Sequence, residues 1–202
     1  MTTPVLAILA AYLLGAIPFG FLIVKWKTGA DVRASGSGNI GATNVLRTTG
    51  RAASVVTLLL DIGKGYFAVW LAGRMTEGDL RWMTAAALAV MAGHAFPVFL
   101  GFKGGKAVAS FVGAYLCLTP LPLVSALIVF VVAVAVSRHI SLGSILAAGT
   151  FPLAVWMISH PPNYVVGAAL VSGAFIVWRH RENIGRLRAG TESVFTLGSP
   201  RR

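Results

Sequence analysis

A polytopic all-α membrane protein of seven spans is the fold this sequence predicts, and three observations predict it. Hydrophobic residues make up 56% of the 202 residues and charged ones only 11%, where an ordinary soluble domain carries roughly 25%. Apolar runs of the length that crosses a bilayer as a helix recur along the chain, and mean hydropathy is +0.80. Basic residues, which give a net charge of +11, crowd into particular loops.

In chain order the spans fall near 4–26, 52–73, 81–100, 106–119, 121–137, 142–159 and 164–179. The first has no basic segment before it and no small-residue cleavage pattern after it, so it reads as a helix that stays in the protein. The second contains Asp61 and Lys64, three residues apart and therefore neighbours on one helix face. An ionisable group inside a span costs roughly 2.5–3.5 kcal/mol on insertion scales, so the two are expected to face protein or water and pair there, either as a structural pair or in direct contact with substrate. Residues 107–137 carry no charge and are too long for one span, and Pro120 and Pro122 divide them. Cys117, the single cysteine, reads as a small core residue and leaves no partner for a disulfide framework or a cysteine metal site. Gly15 and Gly167, which have no polar neighbours in sequence, read as close-packing positions between helices. The chain as a whole, 1–202, reads as one membrane domain with a frayed basic tail at 198–202.

Charge sets the orientation. With the N-terminus outside, the outer loops keep only Arg74 and Arg81, offset by Glu77 and Asp79, and Lys64 lies within a span. The other 14 of the 17 basic residues then fall on inner segments, which puts the C-terminus in the cytoplasm. Lys25, Lys27, Arg51, Arg201 and Arg202 read as topology signals of this kind.

Three inner segments are polar in ways that spanning does not require. In SGSGNIGATNVLR at 35–47, Gly36, Gly38 and Gly41 spell G-x-G-x-x-G, with Asp61 20 residues further on. No strand pattern precedes that segment and Asp61 sits inside an apolar run, which excludes a dinucleotide-binding fold. In GHAFPVFLGFKGGKAVAS at 93–110, Gly104 and Gly105 stand between Lys103 and Lys106 just ahead of a helix. Free N–H groups, a positive helix end and two ammonium groups are expected to converge there on an anion. A P-loop is excluded, because Leu100 stands where it needs Gly and Ala107 where it needs Ser or Thr. The third segment, RHRENIGRLRAGTES at 179–193, again mixes bases with amides.

Of the four histidines, His160 in SHPPN reads as solvated and His94 as a structural polar group at a helix end. His139 is divided between structural and functional readings, whereas His180, beside Arg179, Arg181 and Asn183, reads as functional. The acyltransferase pattern of His followed by Asp five positions on fails at Phe99. No zinc spacing, two-metal carboxylate set or Ser-His-acid triad is evident. What remains is a set of donors, Ser37, Asn39, Thr43, Asn44, Arg47, Lys106, Ser141, Ser144, His180 and Asn183, suited to holding phosphates while chemistry runs between bound substrates.

GSGNIGATNVLR, GHAFPVFLGFKGGKAVAS and HRENIGRLRAGTE resemble, in order and spacing, the three signature motifs of the bacterial acyl-phosphate:glycerol-3-phosphate acyltransferase family, the PlsY family. Departures are local: Ile40 stands where Pro is frequent, and Ala107 and Ser110 where Gly and Thr are common. The resemblance implies a seven-helix fold in the bacterial cytoplasmic membrane with the active site facing the cytoplasm, and no cofactor. It implies transfer of a fatty acyl group from acyl phosphate to the 1-hydroxyl of glycerol 3-phosphate, without acyl-CoA, giving lysophosphatidic acid and phosphate. Its catalytic set maps onto Ser37, Arg47, Lys106, His180 and Asn183, and its substrate-binding set onto Gly38, Asn39, Thr43, Asn44, Gly104, Gly105, Ser141, Ser144 and Glu192. Partners are the two substrates, the bilayer and the enzyme that makes acyl phosphate, with no nucleic acid. Chemistry is expected to be substrate-assisted, with no acyl-enzyme, since an acyl phosphate already carries a good leaving group.

The rival class is a transporter of a phosphorylated metabolite. A transporter needs polar groups along a path through both leaflets, and the outer loops at 119–122 and 160–163 contain no Lys, Arg, Asp or Glu.

Overall fold

Where the chain changes from apolar to polar, or meets proline, its helices stop. The computed structural model describes residues 2–195, and the expected tail at 198–202 lies outside the described residues. Among the described residues the backbone is helical with no strand, in ten α-helices. Two compact units are present, one ending at Leu118 and one beginning at Thr119.

The amino-terminal unit holds α1 (Thr2–Ala16), α2 (Phe19–Thr28), α3 (Ala42–Thr49), α4 (Arg51–Met75), α5 (Leu80–Ala95) and α6 (Val108–Leu118). The single helix expected over 4–26 is two helices, because Pro18 has no N–H to continue the ladder. The expected span 81–100 likewise ends early: Pro97 follows Phe96, and only a 3-10 turn, Val98–Leu100, continues. Small residues line the interior. Ala7 and Ala11 of α1, Ala68 and Ala72 of α4, and Ala86 and Ala87 of α5 are buried together with Val69 and Val90. A Cβ on Gly15 would drive into the carbonyl of Val90, so this glycine does set a close helix approach. With lipid as apolar as the core, such intimate packing holds the bundle together.

The carboxy-terminal unit holds α7 (Pro120–Ser137), α8 (Ile140–Ala154), α9 (Asn163–Arg179) and α10 (Arg181–Arg188). The break at 119–122 forms as the prolines require, with Pro120 at the first position of α7, where a missing N–H is harmless. Pro152 loosens the end of α8 into a π turn, Val155–Ser159. Gly167 does not pack closely: nothing lies within 4 Å of where its Cβ would sit.

By length and composition five segments can cross a membrane: Thr2–Thr28, Arg51–Met75, Leu80–Leu100, Pro120–Ser137 and Ile140–Ser159. Val108–Leu118 and Asn163–Arg179 are apolar but shorter. Two helices were not expected, α3 and α10. Both are short and polar, and each is closed by a glycine at positive φ, Gly50 (99°) and Gly190 (69°).

Candidate active site

In the amino-terminal unit the segment before α3 is built around one amide. Asn44 is 1% exposed; its Nδ2 donates to the carbonyls of Val32 (3.0 Å), Ser35 (3.1 Å) and Asn39 (2.8 Å), and its Oδ1 accepts the N–H of Ser37 (2.8 Å). Asn39 Oδ1 accepts the N–H of Gly41 at 2.9 Å. These two asparagines therefore shape the loop with the groups they were expected to offer to substrate. Gly36 and Gly38 sit at φ 63° and 67°, where a side chain would be strained. Ile40, 2% exposed, anchors the loop in a cluster with Val24, Val32, Val45 and Ala53, against which Leu100 packs. Segments 32–47 and 98–100 are thus brought together within this unit. Ser37 is exposed at the loop tip, and Arg47 projects, exposed, one turn beyond Thr43 on α3.

The lysine-glycine segment differs from expectation. After Pro97 the chain doubles back, and Gly104 N–H donates to the carbonyl of Ala95 (3.2 Å) while Gly105 N–H donates to that of His94 (3.0 Å). Those N–H groups are not free for an anion, because the last carbonyls of α5 have no helical partner and take them. Lys106 follows directly, half-buried, and Ala107, 1% exposed, sits at φ 62°. That backbone favours glycine, which gives a physical sense to the Gly common at this position in the resemblance.

Beneath this segment lies a buried charged cluster. Lys64 Nζ is 2.7 Å from Asp61 Oδ1, the pairing their spacing predicts, and donates to the carbonyl of Ile17 (2.8 Å) at the break between α1 and α2. His94 Nδ1 is 3.6 Å from the same Asp61 oxygen. All three side chains are at most 4% exposed.

The carboxy-terminal unit has its own hub, Glu192, with a side chain 4% exposed. Its Oε1 accepts from Ser141 Oγ (2.8 Å) and Asn183 Nδ2 (2.7 Å), and its Oε2 from Arg186 Nε (2.7 Å). The segment reaches its place because Phe195 N–H donates to the carbonyl of Arg138 (2.7 Å). A carboxylate only accepts, so it fixes the Asn183 amide with Nδ2 inward and commits the Ser141 proton. Burial alone would raise the Glu192 carboxyl, but the hydrogen bonds from Asn183, Arg186 and Ser141 outweigh it and hold it below the usual carboxylate value. Ser144, one turn on, donates to the carbonyl of Ile140 (3.0 Å). His180 is 3% exposed with Nδ1 2.8 Å from the carbonyl of Ile176, so in the neutral ring Nδ1 carries the proton and Nε2 is the basic nitrogen. Arg186, to which the sequence reading gave no role of its own, is the cation of this hub. No group of three or more His, Cys, Asp or Glu able to hold a metal occurs among the described residues.

A family model described as glycerol-3-phosphate acyltransferase matches residues 5–190. The chain belongs to that family. A glycerol-3-phosphate acyltransferase of Desulforamulus reducens is 47% identical over 97% of this chain and 96% of its own length. One of Geobacter sulfurreducens is 48% identical over 92% and 94%. Among solved structures, the integral membrane glycerol 3-phosphate acyltransferase PlsY in its glycerol 3-phosphate form is 40% identical, with TM-score 0.90 and 96% of each chain covered. Its lysophosphatidic acid form is 38% identical, with TM-score 0.87 over 96% and 95%.

Proposed function

We propose that this protein is a glycerol-3-phosphate 1-acyltransferase that takes its acyl group from a fatty acyl phosphate and releases lysophosphatidic acid and phosphate. The observation that carries the reading is the likeness, over nearly the whole chain, to a membrane enzyme solved with both glycerol 3-phosphate and lysophosphatidic acid, the acceptor and the product of one reaction. The donor assignment is supported by chemistry. His94 meets a carboxylate, Asp61, but both are buried in the bundle, and Phe99 stands at the position of the acyltransferase His-Asp pattern. A mixed anhydride needs no protein nucleophile, only orientation and charge stabilisation.

In this reading Ser37, Thr43, Arg47 and Lys106 hold the donor phosphate, on which charge grows as the acyl C–O bond breaks. Gly38, Asn39, Asn44, Gly104 and Gly105 give those groups their backbone. His180, Asn183, Ser141 and Ser144 orient the glycerol phosphate, with Glu192 holding Ser141 and Asn183 in place. The attacking hydroxyl passes its proton to a donor phosphate oxygen, and no acyl-enzyme forms. The chain works as one seven-span domain of the bacterial cytoplasmic membrane, N-terminus outside, with Arg47, Lys106 and the C-terminus on the cytoplasmic side, supplied by an enzyme that makes acyl phosphate.

The test is turnover of purified protein with glycerol 3-phosphate and either palmitoyl phosphate or palmitoyl-CoA. Lysophosphatidic acid is expected from the phosphate alone, and comparable turnover with acyl-CoA free of acyl phosphate overturns the donor assignment.

A further inference from the structure

The proposed chemistry makes no direct use of three deeply buried ionisable groups of the amino-terminal unit. Asp61 and Lys64 of α4 and His94 of α5 lie at 2%, 5% and 3% exposure, and Lys64 also stands 5.6 Å from the Phe19 ring. Replacing a buried ion pair by well-packed apolar groups is often neutral or stabilising, so stability is a poor account of why the cluster is there. Its connections supply a better one.

His94 is held at both ends. Its ring faces the Asp61 carboxylate, which Lys64 neutralises, and Lys64 is itself tied to the carbonyl of Ile17 at the proline break. Its carbonyl accepts the N–H of Gly105, and a Cβ on Gly105 would drive into the His94 imidazole, so ring and loop backbone lie in direct contact. The next residue is Lys106. A rotation of the imidazole therefore shifts Gly105, and a shift of Gly105 re-aims the ammonium that follows it. A displacement of about 1 Å in such a positioning group can cost on the order of 100-fold in rate.

We propose that Asp61, Lys64 and His94 form a positioning triad that fixes the 103–106 segment, and through it the Lys106 ammonium, for the phosphate Lys106 holds. The inference rests on the reading of Lys106 as a phosphate ligand. The triad touches no substrate. Asp61 sets the imidazole, Lys64 pairs with Asp61 and anchors the pair to the α1–α2 break, and the imidazole is the wall against which Gly105 is laid.

A double-mutant cycle in kcat and KM for both substrates tests this, using His94→Ala, Lys106→Ala and the two combined, each with a melting curve. His94→Ala is expected to lose tenfold or more in kcat/KM, in the same parameter and for the same substrate that Lys106→Ala affects. The combined variant is expected to be no worse than Lys106→Ala, because His94 acts through a group already gone. His94→Gln, whose amide can donate to Asp61, is expected to recover most of the loss, and it carries the same cycle if His94→Ala does not fold. Losses that multiply in the combined variant, or wild-type kinetics in His94→Ala, overturn the triad while leaving Lys106 in the site. Wild-type kinetics in Lys106→Ala overturn both the triad and the reading beneath it.

Discussion

Glu192→Gln is the substitution that most sharply separates holding from binding in the carboxy-terminal unit. The glutamine keeps one oxygen for Ser141 and Asn183 but turns an NH2 toward Arg186 Nε, so two donors face each other where the wild type has a 2.7 Å charge-assisted bond. Arg186 is 38% exposed and can swing to water, which limits the loss to that one bond, about 1.5–3 kcal/mol. In a chain of this size that corresponds to roughly 3–12 °C in Tm. Glu192→Ala leaves all three donors without the carboxylate, so it is expected to lose more of both stability and kcat. The acid limb of stability has a definite sign. A folded carboxyl held below its unfolded value contributes fully above the ordinary glutamate value of about 4.3, and that contribution fades as pH falls through the folded value. Melting curves of purified protein between about pH 3 and pH 7 should therefore show a Glu192-dependent loss toward acid that Glu192→Gln lacks. A Glu192→Gln variant with the wild-type Tm and the wild-type acid limb would refute the hub.

Two further outcomes follow from the amino-terminal unit. Arg47→Lys should fold and lose rate chiefly in kcat, tenfold for each ~1.4 kcal/mol of transition-state stabilisation removed, because a point charge cannot replace the guanidinium fork on two phosphate oxygens. Arg51→Lys, a topology charge at the start of α4, should keep its activity, and equal activity of the two in well-folded protein refutes the Arg47 assignment. For orientation, single cysteines at the exposed positions Ala34 and Glu77 in a Cys117→Ala background report on the two sides. An impermeant maleimide should label Glu77→Cys in intact cells and Ala34→Cys only after permeabilisation, and the reverse overturns the topology.

The five segments able to cross a membrane were legible as long, largely apolar runs, and the break at 119–122 because proline cannot continue a helix. Chain breaks with the same cause, at Pro18 and Pro97, were hidden inside runs whose hydropathy does not change there. The helices α3 and α10 escaped notice since both are short and too polar to read as spans; Gly50 and Gly190 were the stop signals available. The donor residues were visible as residue types, but their assignments depend on contacts far apart in sequence. Ser141 meets Glu192 across 51 positions, and Lys64 meets Ile17 across 47. Likewise, Gly104 and Gly105 looked like free anion donors until the chain doubled back onto the end of α5.

The central claim is that these donors hold two phosphates while one substrate attacks the other. Incubating the purified protein with palmitoyl phosphate alone, and following released phosphate together with the intact mass of the protein, tests it most directly. No phosphate burst and no acylated protein are expected; on adding glycerol 3-phosphate, phosphate and lysophosphatidic acid should appear together in equal amounts. A burst of one phosphate per protein with a matching acyl adduct, or no lysophosphatidic acid at all, would contradict it.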